Sequence, residues 1–468
     1  MAAMRFHSLL LAAVVALTAC PAEKAPEPPK AATPPPVTPT RTGKVTLLVT
    51  GHESGMLPEK APKLLAQWKK EEGWPNALAF STGDSFSGAA LSSHFMGTPT
   101  AEVMKALQYK ASALGNHDLD LGFDTLRAFR EASGLTLLAA NLKDKADAEQ
   151  PLKLDPSLVV TREGIRVGVI GFTSAKTVAT AISGRASGLD LVTLEASVGP
   201  ALETLKKDNP DVVMAVIDDC FLTLQKALAT RADWKIDLVV GTRCEGDQEY
   251  LKGPTKFFSV GDDLTHYVSA AFQLNADGTK TLTASRKSLD PKGAEDADLL
   301  ALRDRWQKKL DEELGQKIGF TRTGFKEDAA QLRTWVATAL RDESKADAAL
   351  FNKKGVRASL PKGVITRASV YSIIPFDNAV VTVKVKGEAL IKLKTHPEAV
   401  LVTPAKIDPA KDYVLATTEY IYFGGDGLGL EAVAPDLELT GQVWQTPVIT
   451  WLEKQGCNEK KPLEKLLK

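Results

Sequence analysis

The chain has 468 residues and a formal net charge of zero at pH 7. This balance gives no reason to expect a nucleic acid as partner, because binding to a phosphate backbone depends on an excess of Lys and Arg. Hydrophobic residues make up 44% of the sequence and charged residues 25%, so the chain can bury ordinary cores, and its length predicts about two or three domains.

The N-terminal residues are typical of a processing signal. Arg5 gives a positive start, residues 9–17 form a short apolar run, and Leu17-Thr18-Ala19-Cys20 is similar to a bacterial lipoprotein box. The run is too short to cross a bilayer as a stable helix, so we expect cleavage before Cys20 and lipidation of its sulfur. This predicts a membrane anchor through Cys20 in the bacterial cell envelope, in the periplasm or at the cell surface. The alternative is an ordinary secretory peptide with an incidental Cys.

A spacer and the first folded strand follow. Residues 21–43 are rich in Pro, Ala, Lys and Thr, a composition that cannot bury a core and favours extended polyproline conformation. Residues 45–50 are instead apolar and β-branched, which predicts a buried strand. We expect the folded part to begin at residue 44.

Two polar stretches are the clearest candidates for a functional site. They are residues 81–86 (Ser-Thr-Gly-Asp-Ser-Phe) and residues 115–122 (Gly-Asn-His-Asp-Leu-Asp-Leu-Gly). Each follows an apolar run and is broken by Gly, which places its polar side chains on a loop at the end of an element. Asp84 and Asn116 offer oxygen ligands for a metal, and a nearby carboxylate can hold the ring of His117 in one tautomer. Either stretch alone could also be a simple turn.

The order of the two stretches resembles the calcineurin-like metallophosphoesterases, and their surroundings are similar to the 5'-nucleotidase and UDP-sugar hydrolase family. The similarity includes Leu-x-x-x-Phe-x-Gly at residues 91–97 and a helix expected over residues 101–109. It implies an α/β protein in which a four-layer metallophosphoesterase β-sandwich, flanked by helices, precedes a mixed α/β C-terminal nucleotide-binding domain. The implied segments are a signal peptide (1–20), a Pro-rich linker (21–43), a metallophosphoesterase-like domain (44–290), a linker helix (291–318) and a C-terminal domain (319–468).

Several metal-binding motifs of that family are altered in this chain. Apolar runs predict core strands over residues 167–172, 211–217 and 236–240. The family has Asp-x-His-Gly where this chain has His52-Glu53-Ser54-Gly55, and a His where it has Asp218-Asp219-Cys220. The family's Gly-Gly-His-x-His aligns with Gly241-Thr242-Arg243-Cys244-Glu245.

The resemblance therefore implies a reduced set of metal ligands. Asp84 and Asn116 retain the family's residue. Three further side chains could bind a metal with changed chemistry: His52, Asp218 and Glu245. Ser54 is a poor ligand, and Arg243 cannot be one, because a guanidinium stays charged and has no acceptor. Loss of the two-metal centre would remove most of the catalysis of phosphate-ester hydrolysis.

Two versions of the altered site remain open. In one, Arg243 replaces the metals as the counter-charge of a structural ion cluster with the carboxylates Asp84, Asp218, Asp219 and Glu245. In the other, one divalent cation occupies an oxygen-rich remnant, with Mg²⁺ or Ca²⁺ suited to oxygen ligands and Mn²⁺ or Zn²⁺ as further candidates. We favour the first version, in which no cofactor is bound, because a fixed positive charge repels a divalent ion.

His117 and Asp120 are retained from the family motif. The resemblance implies that they form a catalytic dyad near the transferred phosphate. Their retention is explained equally well by residual catalysis and by packing and turn geometry inherited from an active ancestor.

The cysteines provide a separate expectation. Cys220 and Cys244 each follow a predicted core strand, at motif positions that converge in the family fold. In an oxidising compartment they could form a disulfide, and the alternative is two buried free thiols. Cys457 lies near a Lys-rich tail that looks exposed, and we expect it to be unpaired.

The C-terminal third keeps more of the family pattern. A charged segment over residues 296–314 has one apolar face and predicts the helix that joins the two domains. Residues 352–357 (Asn-Lys-Lys-Gly-Val-Arg) are similar to the family's Asn-x-Gly-Gly-Ile-Arg, and residues 375–378 (Pro-Phe-Asp-Asn) to its Pro-Phe-Gly-Asn. Tyr420 stands six residues before Asp426, at the family's spacing of an aromatic residue and an Asp.

These matches imply a nucleotide slot. Phe376 and Tyr420 would stack on the base, and Asp426 would hold the ribose. Asn352 would contact the base and Arg357 the phosphate. Three positions depart from the family: Lys353 and Lys354 stand where small residues are preferred, and Lys326 where Arg is usual. The lysines would attract anions or fill the slot, and the alternative interpretation is a pair of core aromatics beside a turn.

Three functional hypotheses follow. The first is an exported lipoprotein that hydrolyses phosphate esters of nucleotides, as in nucleotide catabolism, through an altered or mononuclear site. The second is a metal-free pseudoenzyme that binds a nucleotide or another phosphorylated small molecule through its C-terminal domain. The third is a surface scaffold that retains only the fold. The substituted ligands favour the second.

Overall fold

The computed structural model describes residues 41–145, 152–181, 185–186, 188–231 and 233–467. Cys20, the signal peptide and nearly all of the Pro-rich spacer lie outside the described residues. Within the described ranges, no helix is both long and apolar enough to cross a membrane. The chain from Arg41 onwards forms one compact unit, so its N-terminal and C-terminal parts are in contact.

The N-terminal part, residues 41–290, is built on two six-stranded sheets. Its strands are β1 (Gly43–Thr50), β2 (Leu78–Ser81), β3 (Tyr109–Ala113), β4 (Thr136–Leu138), β5 (Leu142–Asp144), β6 (Ser157–Arg162), β7 (Ile165–Thr173), β8 (Leu189–Leu191), β9 (Val212–Asp218), β10 (Leu238–Gly241), β11 (Glu249–Tyr250), β12 (Lys256–Ser259), β13 (His266–Leu274) and β14 (Lys280–Ser288). Its helices are α1 (Leu57–Glu71), α2 (Ala90–Ser93), α3 (Thr98–Ala106), α4 (Phe123–Ser133), α5 (Thr177–Thr180), α6 (Leu194–Lys206) and α7 (Leu222–Ala229). The strand orders are β14-β13-β1-β2-β3-β4 and β11-β12-β10-β9-β7-β6.

The two sheets pack face to face, and helices cover their outer faces. Val45, Leu47 and Val49 of β1 point into the core between the sheets, while Leu48 points into the core beneath α1, α3 and α4. This alternation is that of a strand buried on both faces. Helices α6 and α7 cover the outer face of the second sheet. The predicted four-layer α/β architecture is confirmed.

The C-terminal part, residues 317–467, is a mixed α/β fold that follows a long helix. The preceding helix is α8 (Ala297–Leu314), and the helices of the C-terminal part itself are α9 (Ala330–Glu343), α10 (Arg367–Ile373), α11 (Gly387–Leu393), α12 (Glu419–Tyr422), α13 (Gln445–Gln455) and α14 (Leu463–Leu466). The strands are β15 (Lys317–Thr321), β16 (Ala348–Asn352), β17 (Gly363–Thr366), β18 (Ala379–Lys386), β19 (Ala399–Val402), β20 (Asp412–Thr418) and β21 (Leu437–Val443). The main sheet has the order β19-β16-β20-β18-β21.

Helix α8 connects the two parts where the sequence predicts a joining helix. The carboxylate of Asp296 caps it by accepting the backbone N–H of Leu299 at 3.2 Å. Leu299 packs into the N-terminal core, and Trp306 donates its indole N–H to Glu102 at 3.0 Å. Trp306 also belongs to a buried cluster that includes Tyr371 of the C-terminal part. The helix thereby fixes the two parts against each other.

Two sequence expectations need correction. The helix expected over residues 101–109 is α3, which ends at Ala106, and Tyr109 begins β3. The Tyr109 hydroxyl is buried within 2.7 Å of the Thr50 hydroxyl, so the aromatic residue belongs to the sheet. Cys457 is unpaired as expected, yet it is buried. The tail folds onto β15, and the backbone N–H of Phe320 lies 3.4 Å from Sγ of Cys457.

A disulfide joins Cys220 and Cys244, whose Cα atoms are 4.6 Å apart. The bond connects the loop after β9 to the loop after β10, and the two residues are separated by 24 positions in the sequence. It therefore ties the loop that follows Asp218, the last residue of β9, to the loop that carries Arg243.

Replacing both Cys220 and Cys244 by Ser is expected to lower the free energy of unfolding by about 3 kcal/mol, because the cross-link restricts the unfolded chain. Urea unfolding of the purified protein measures this change. Wild-type protein treated with a reducing agent serves as the control and should unfold at the same urea concentration as the variant. An unchanged unfolding midpoint in both samples would contradict the expected contribution.

Candidate functional site

The loops that carry the candidate residues converge because of strand direction. Strands β1, β2 and β3 run parallel in the first sheet, and β7, β9 and β10 run parallel in the second. Carboxyl ends of parallel strands meet at one edge of a sheet. The structure thereby brings together five side chains from the ends of five strands: His52, Asp84, Asn116, Asp218 and Arg243.

Asp118 locks the two polar stretches together. Its carboxylate accepts the backbone N–H groups of Asp84 and Ser85, both at 2.9 Å, and that of Gly115 at 2.8 Å. Position 115 requires Gly, because a Cβ there would lie 2.0 Å from Oδ1 of Asp84. That oxygen accepts the backbone N–H of His117 at 2.9 Å. This role of Asp118 is not evident from the sequence, where its place inside the second polar stretch is the available signal.

Arg243 lies between two buried carboxylates. Its Nη2 is 2.8 Å from each carboxylate oxygen of Asp218, and its Nη1 is 3.4 Å from Oδ2 of Asp84. Nδ1 of His52 lies 2.9 Å from the same Asp84 oxygen. Both aspartates are fully buried, whereas the Arg243 side chain is 34% exposed. Because buried anions need a compensating cation, Arg243 acts as the counter-charge of this cluster.

The charges of the cluster shift one another's protonation. Although burial alone raises it, the pKa of Asp84 is held well below its usual range by His117, His52 and Arg243. Burial and the charge of Asp84 raise the pKa of Asp218, against the opposing effect of Arg243. Burial lowers the pKa of Arg243, but the two aspartates raise it further. The guanidinium therefore stays charged.

The same cluster contains a candidate metal site. Ligand atoms of His52, Asp84 and Asp218 lie within 4.8 Å of one another, and Nδ1 of His52 and Oδ2 of Asp84 are both buried and face each other at 2.9 Å. However, the Arg243 guanidinium lies within ion-pair distance of both carboxylates and would repel a divalent ion placed among them. The group does not fit a resident divalent cation while Arg243 is in place. Within the described ranges, no second group of this kind supplies the other half of a two-metal site.

The remaining expected ligands are placed differently. Glu245, which the sequence offers as a candidate metal ligand, is instead exposed and lies outside the cluster. The next residue, Gly246, has a φ of +86° and so begins a turn. Asp219 accepts the Ser174 hydroxyl at 3.1 Å and the backbone N–H of Cys220 at 2.7 Å.

His117 and Asp120 form a close pair. Nδ1 of His117 is 2.7 Å from Oδ2 of Asp120, and the Ser87 hydroxyl donates to the same oxygen at 2.8 Å. This contact leaves Nε2 as the ring nitrogen that can meet a ligand. Burial lowers the pKa of His117, but Asp120 and Asp84 raise it more strongly, so the net shift is upward. A larger imidazolium fraction at neutral pH suits an anionic ligand.

A cavity of about 980 Å³ lies between the two parts and joins both sets of candidate residues. From the N-terminal part it is lined by His52, Asn116, His117, Asp120 and Arg243. The C-terminal part contributes all five residues expected to contact a nucleotide: Asn352, Arg357, Phe376, Tyr420 and Asp426. A cavity of this size is typical of a small-molecule site.

The two walls of this cleft touch at one aromatic stack. The rings of His117 and Phe376 are nearly parallel, with centroids 5.0 Å apart and an interplanar angle of 8°. The guanidinium carbon of Arg357 lies 5.6 Å from the Phe376 centroid. Nδ2 of Asn352 donates to Oδ2 of Asp426 at 2.7 Å. The dyad and the expected nucleotide slot are therefore adjacent.

Two further side chains of the cleft were not identified from the sequence. Oδ1 of Asn378 and Nε1 of Trp444 are buried without a hydrogen-bond partner, and both residues line the cavity. Buried polar atoms are normally satisfied by a partner, and these two have none among the described residues. Asn378 stands two residues after Phe376 in the quoted motif, which was a usable signal, whereas nothing in the sequence indicated Trp444. The Tyr420 ring is set closely against Gly425, where a Cβ would lie 2.3 Å from it.

Similarity to known proteins agrees with this architecture. Residues 309–399 match the family model described as 5'-nucleotidase, C-terminal domain. The chain is 24% identical over 371 residues to the 5'-nucleotidase of Vibrio cholerae, an alignment that covers 68% of this chain and 66% of that protein, slightly less than two thirds of its length. It is also 24% identical over 478 residues to Protein UshA of Escherichia coli, covering 83% of this chain and 86% of that protein.

A solved structure gives the same result for the fold. The 5'-nucleotidase precursor from Thermus thermophilus superposes with a TM-score of 0.72 at 18% sequence identity, covering 88% of this chain and 96% of that chain. The agreement extends over both the double-sheet part and the C-terminal part. The protein therefore resembles the 5'-nucleotidase family in its C-terminal sequence and in the fold of its described residues, as its motifs predict.

Proposed function

We propose that this protein binds a nucleotide in the cell envelope. In its 5'-nucleotidase-like site, Arg243 takes the place of the metal ions. The observation that carries the proposal is the position of Arg243 between Asp84 and Asp218, on the wall of the cleft that also contains the nucleotide slot. A built-in cation neutralises the buried carboxylates and leaves part of the guanidinium facing the cleft, where it can contact an anion.

The cleft suits a nucleoside monophosphate in one orientation. Phe376 and Tyr420 would hold the base, and Asp426 would accept hydrogen bonds from the ribose hydroxyls. The phosphate would then be directed towards Arg357, His117 and Arg243. Two of these groups carry a fixed positive charge, and the pKa of the third is raised, so together they can compensate a phosphate dianion.

The proposed location follows from the sequence and one structural feature. The lipoprotein-like segment ending at Cys20 predicts export and a lipid anchor. The Cys220–Cys244 disulfide is typical of proteins outside the reducing cytoplasm.

The proposed domain boundaries are those expected from the sequence. They give a signal peptide (1–20), a Pro-rich linker (21–43), a metallophosphoesterase-like domain (44–290), a linker helix (291–318) and a C-terminal domain (319–468).

Hydrolysis of a bound nucleotide is a second candidate function, favoured by the close pairing of His117 and Asp120. Nε2 of His117 would give its proton to the 5'-oxygen as the ester bond to phosphorus breaks. A water molecule would add to the phosphorus, and its proton would pass to a phosphate oxygen. Asp120 would stabilise the imidazolium that starts this step. Arg243 and Arg357 would offset the charge of the phosphoryl oxygens.

Removal of the Arg243 charge tests its structural role. Arg243→Ala leaves Asp218 buried without its counter-charge and leaves Asp84 with His52 and His117. We expect a decrease of about 2 kcal/mol in the free energy of unfolding, less than for a fully buried pair because the guanidinium is partly exposed. Urea unfolding measures the change. Lys386→Ala removes an exposed ion pair with Asp412 and should change stability by less than about 0.5 kcal/mol. Equal effects of both substitutions would refute the assigned role.

Binding of AMP tests the proposed slot. Calorimetric titration with AMP, without added metal, should show saturable binding, and Arg357→Ala should weaken it about tenfold because a charge-assisted contact is lost. Phe376→Ala should weaken binding by a similar factor through loss of stacking. Phe423→Ala is the matched control, since Phe423 is 43% exposed and does not line the cavity. Absence of binding by the wild-type protein would overturn the proposal.

The second candidate function has its own test. If the protein releases phosphate from AMP, His117→Ala should lower the rate about 100-fold, because a positioned proton donor contributes that much. A sensitive phosphate assay with EDTA, and separately with Mn²⁺, measures the rate. His94→Ala, at a histidine that pairs with Glu313, is the control. An unchanged rate in His117→Ala would remove the dyad from the reaction.

A further inference from the structure

A pair of lysines forms a fixed part of the cleft wall beside the expected ribose position. Lys353 and Lys354 lie in a single 3-10 turn with Gly355, directly after Asn352 at the end of β16. Both lysines are exposed and line the cavity. The turn is closely packed, because a Cβ at Gly355 would lie 2.6 Å from Cζ of Phe351. The backbone therefore holds both lysines at this wall.

The positive charge of this turn is not used by a neighbouring acid. Among the side chains that the structure describes, neither lysine has an ion-pair partner within 4.0 Å. The nearest acidic residue in the backbone hydrogen bonding is Glu398, whose carbonyl accepts the backbone N–H of Lys353 at 3.0 Å. Glu327 and Glu398 both line the cavity. Arg333 adds a third cation to this wall, and its Nε is buried without a hydrogen-bond partner.

The residue before the turn belongs to the expected nucleoside site. Asn352 is 4% exposed, and its buried Oδ1 lies against Gly355, where a Cβ would be 2.7 Å from it. Its Nδ2 already donates to Asp426, the residue expected to hold the ribose. The lysines thus follow the ribose-binding pair in the chain, whereas Arg243 and His117 face the 5'-phosphate in the proposed orientation.

We propose that Lys353 and Lys354 bind a second anionic group on the ribose side of the ligand. The protein would then prefer a nucleotide with two separate phosphates, such as a nucleoside 3',5'-bisphosphate, to a nucleoside monophosphate. Ammonium groups act as mobile point charges and bind a phosphate without needing a fixed geometry. This inference rests on the proposed nucleotide binding and deepens it by naming the ligand class.

Calorimetric titrations with AMP, ADP and adenosine 3',5'-bisphosphate at one ionic strength test the inference. The bisphosphate should bind about tenfold more tightly than AMP. The variant Lys353→Gln/Lys354→Gln should weaken bisphosphate binding about tenfold more than AMP binding. The variant Lys460→Gln/Lys461→Gln removes the same charge from an exposed site outside the cavity and should leave the preference for the bisphosphate unchanged.

Three results would overturn the inference while leaving nucleotide binding intact. They are equal affinities for AMP and the bisphosphate, a preference for the bisphosphate that survives in the Lys353→Gln/Lys354→Gln variant, or a preference for ADP over the bisphosphate. The last result would place the second anion along the phosphate chain instead of beside the ribose. Absence of binding by all three nucleotides would instead refute the proposed function itself, so the two failures are distinguishable.

Discussion

Compensation of buried negative charge is the constraint on which the candidate site depends. Asp84 and Asp218 arrive at the same place because parallel strands of two packed sheets end at one edge, and neither carboxylate is accessible to water. Carboxylate oxygens of the two residues lie within 4.8 Å of each other, and two anions that close repel each other strongly in a poorly solvated site. Metals supply the missing charge in a two-metal hydrolase, whereas here the covalently attached guanidinium of Arg243 does so. The disulfide at the adjacent residue, Cys244, holds the loop that carries it.

This substitution changes the chemistry without changing the architecture. The cleft still joins a His–Asp pair to an aromatic slot, and the stack of His117 on Phe376 keeps the two walls in contact. A guanidinium can bind a phosphate, but it cannot generate hydroxide from a bound water as a metal ion does. In the proposed function, the arrangement would therefore bind a nucleotide without hydrolysing it rapidly. Asn352, Asn378 and Trp444 line this cleft, and each carries a buried polar atom without a hydrogen-bond partner.

The sequence was most informative where local patterns determine the structure. The apolar runs and turn residues predicted the core strands and the connecting helix to within a few residues, because burial on both faces and capping leave clear signals. The resemblance supplied the layered fold, and every residue expected in the nucleotide slot does line the cavity.

Other features depend on tertiary contacts that no local pattern encodes. Glu245 is the last residue of the changed motif but is exposed to solvent, since the direction of a side chain next to a turn is set by the backbone geometry. Cys457, predicted to be unpaired near a Lys-rich tail that looks exposed, is unpaired but buried against β15. Asp118 serves three backbone N–H groups from two separate loops, and the indole of Trp444 reaches the cleft from a distant segment. These placements follow from packing between elements remote in sequence.

The metal content of the purified protein tests directly whether Arg243 takes the place of a metal centre. Wild-type protein and the variant Arg243→His would be dialysed against Mn²⁺ or Zn²⁺, freed of loosely bound ions, and measured by elemental analysis. We expect no stoichiometric metal in the wild type and uptake by Arg243→His, because that substitution replaces a repelling cation with a ligand. Stoichiometric metal in the wild-type protein would show that Arg243 has not replaced the metal centre.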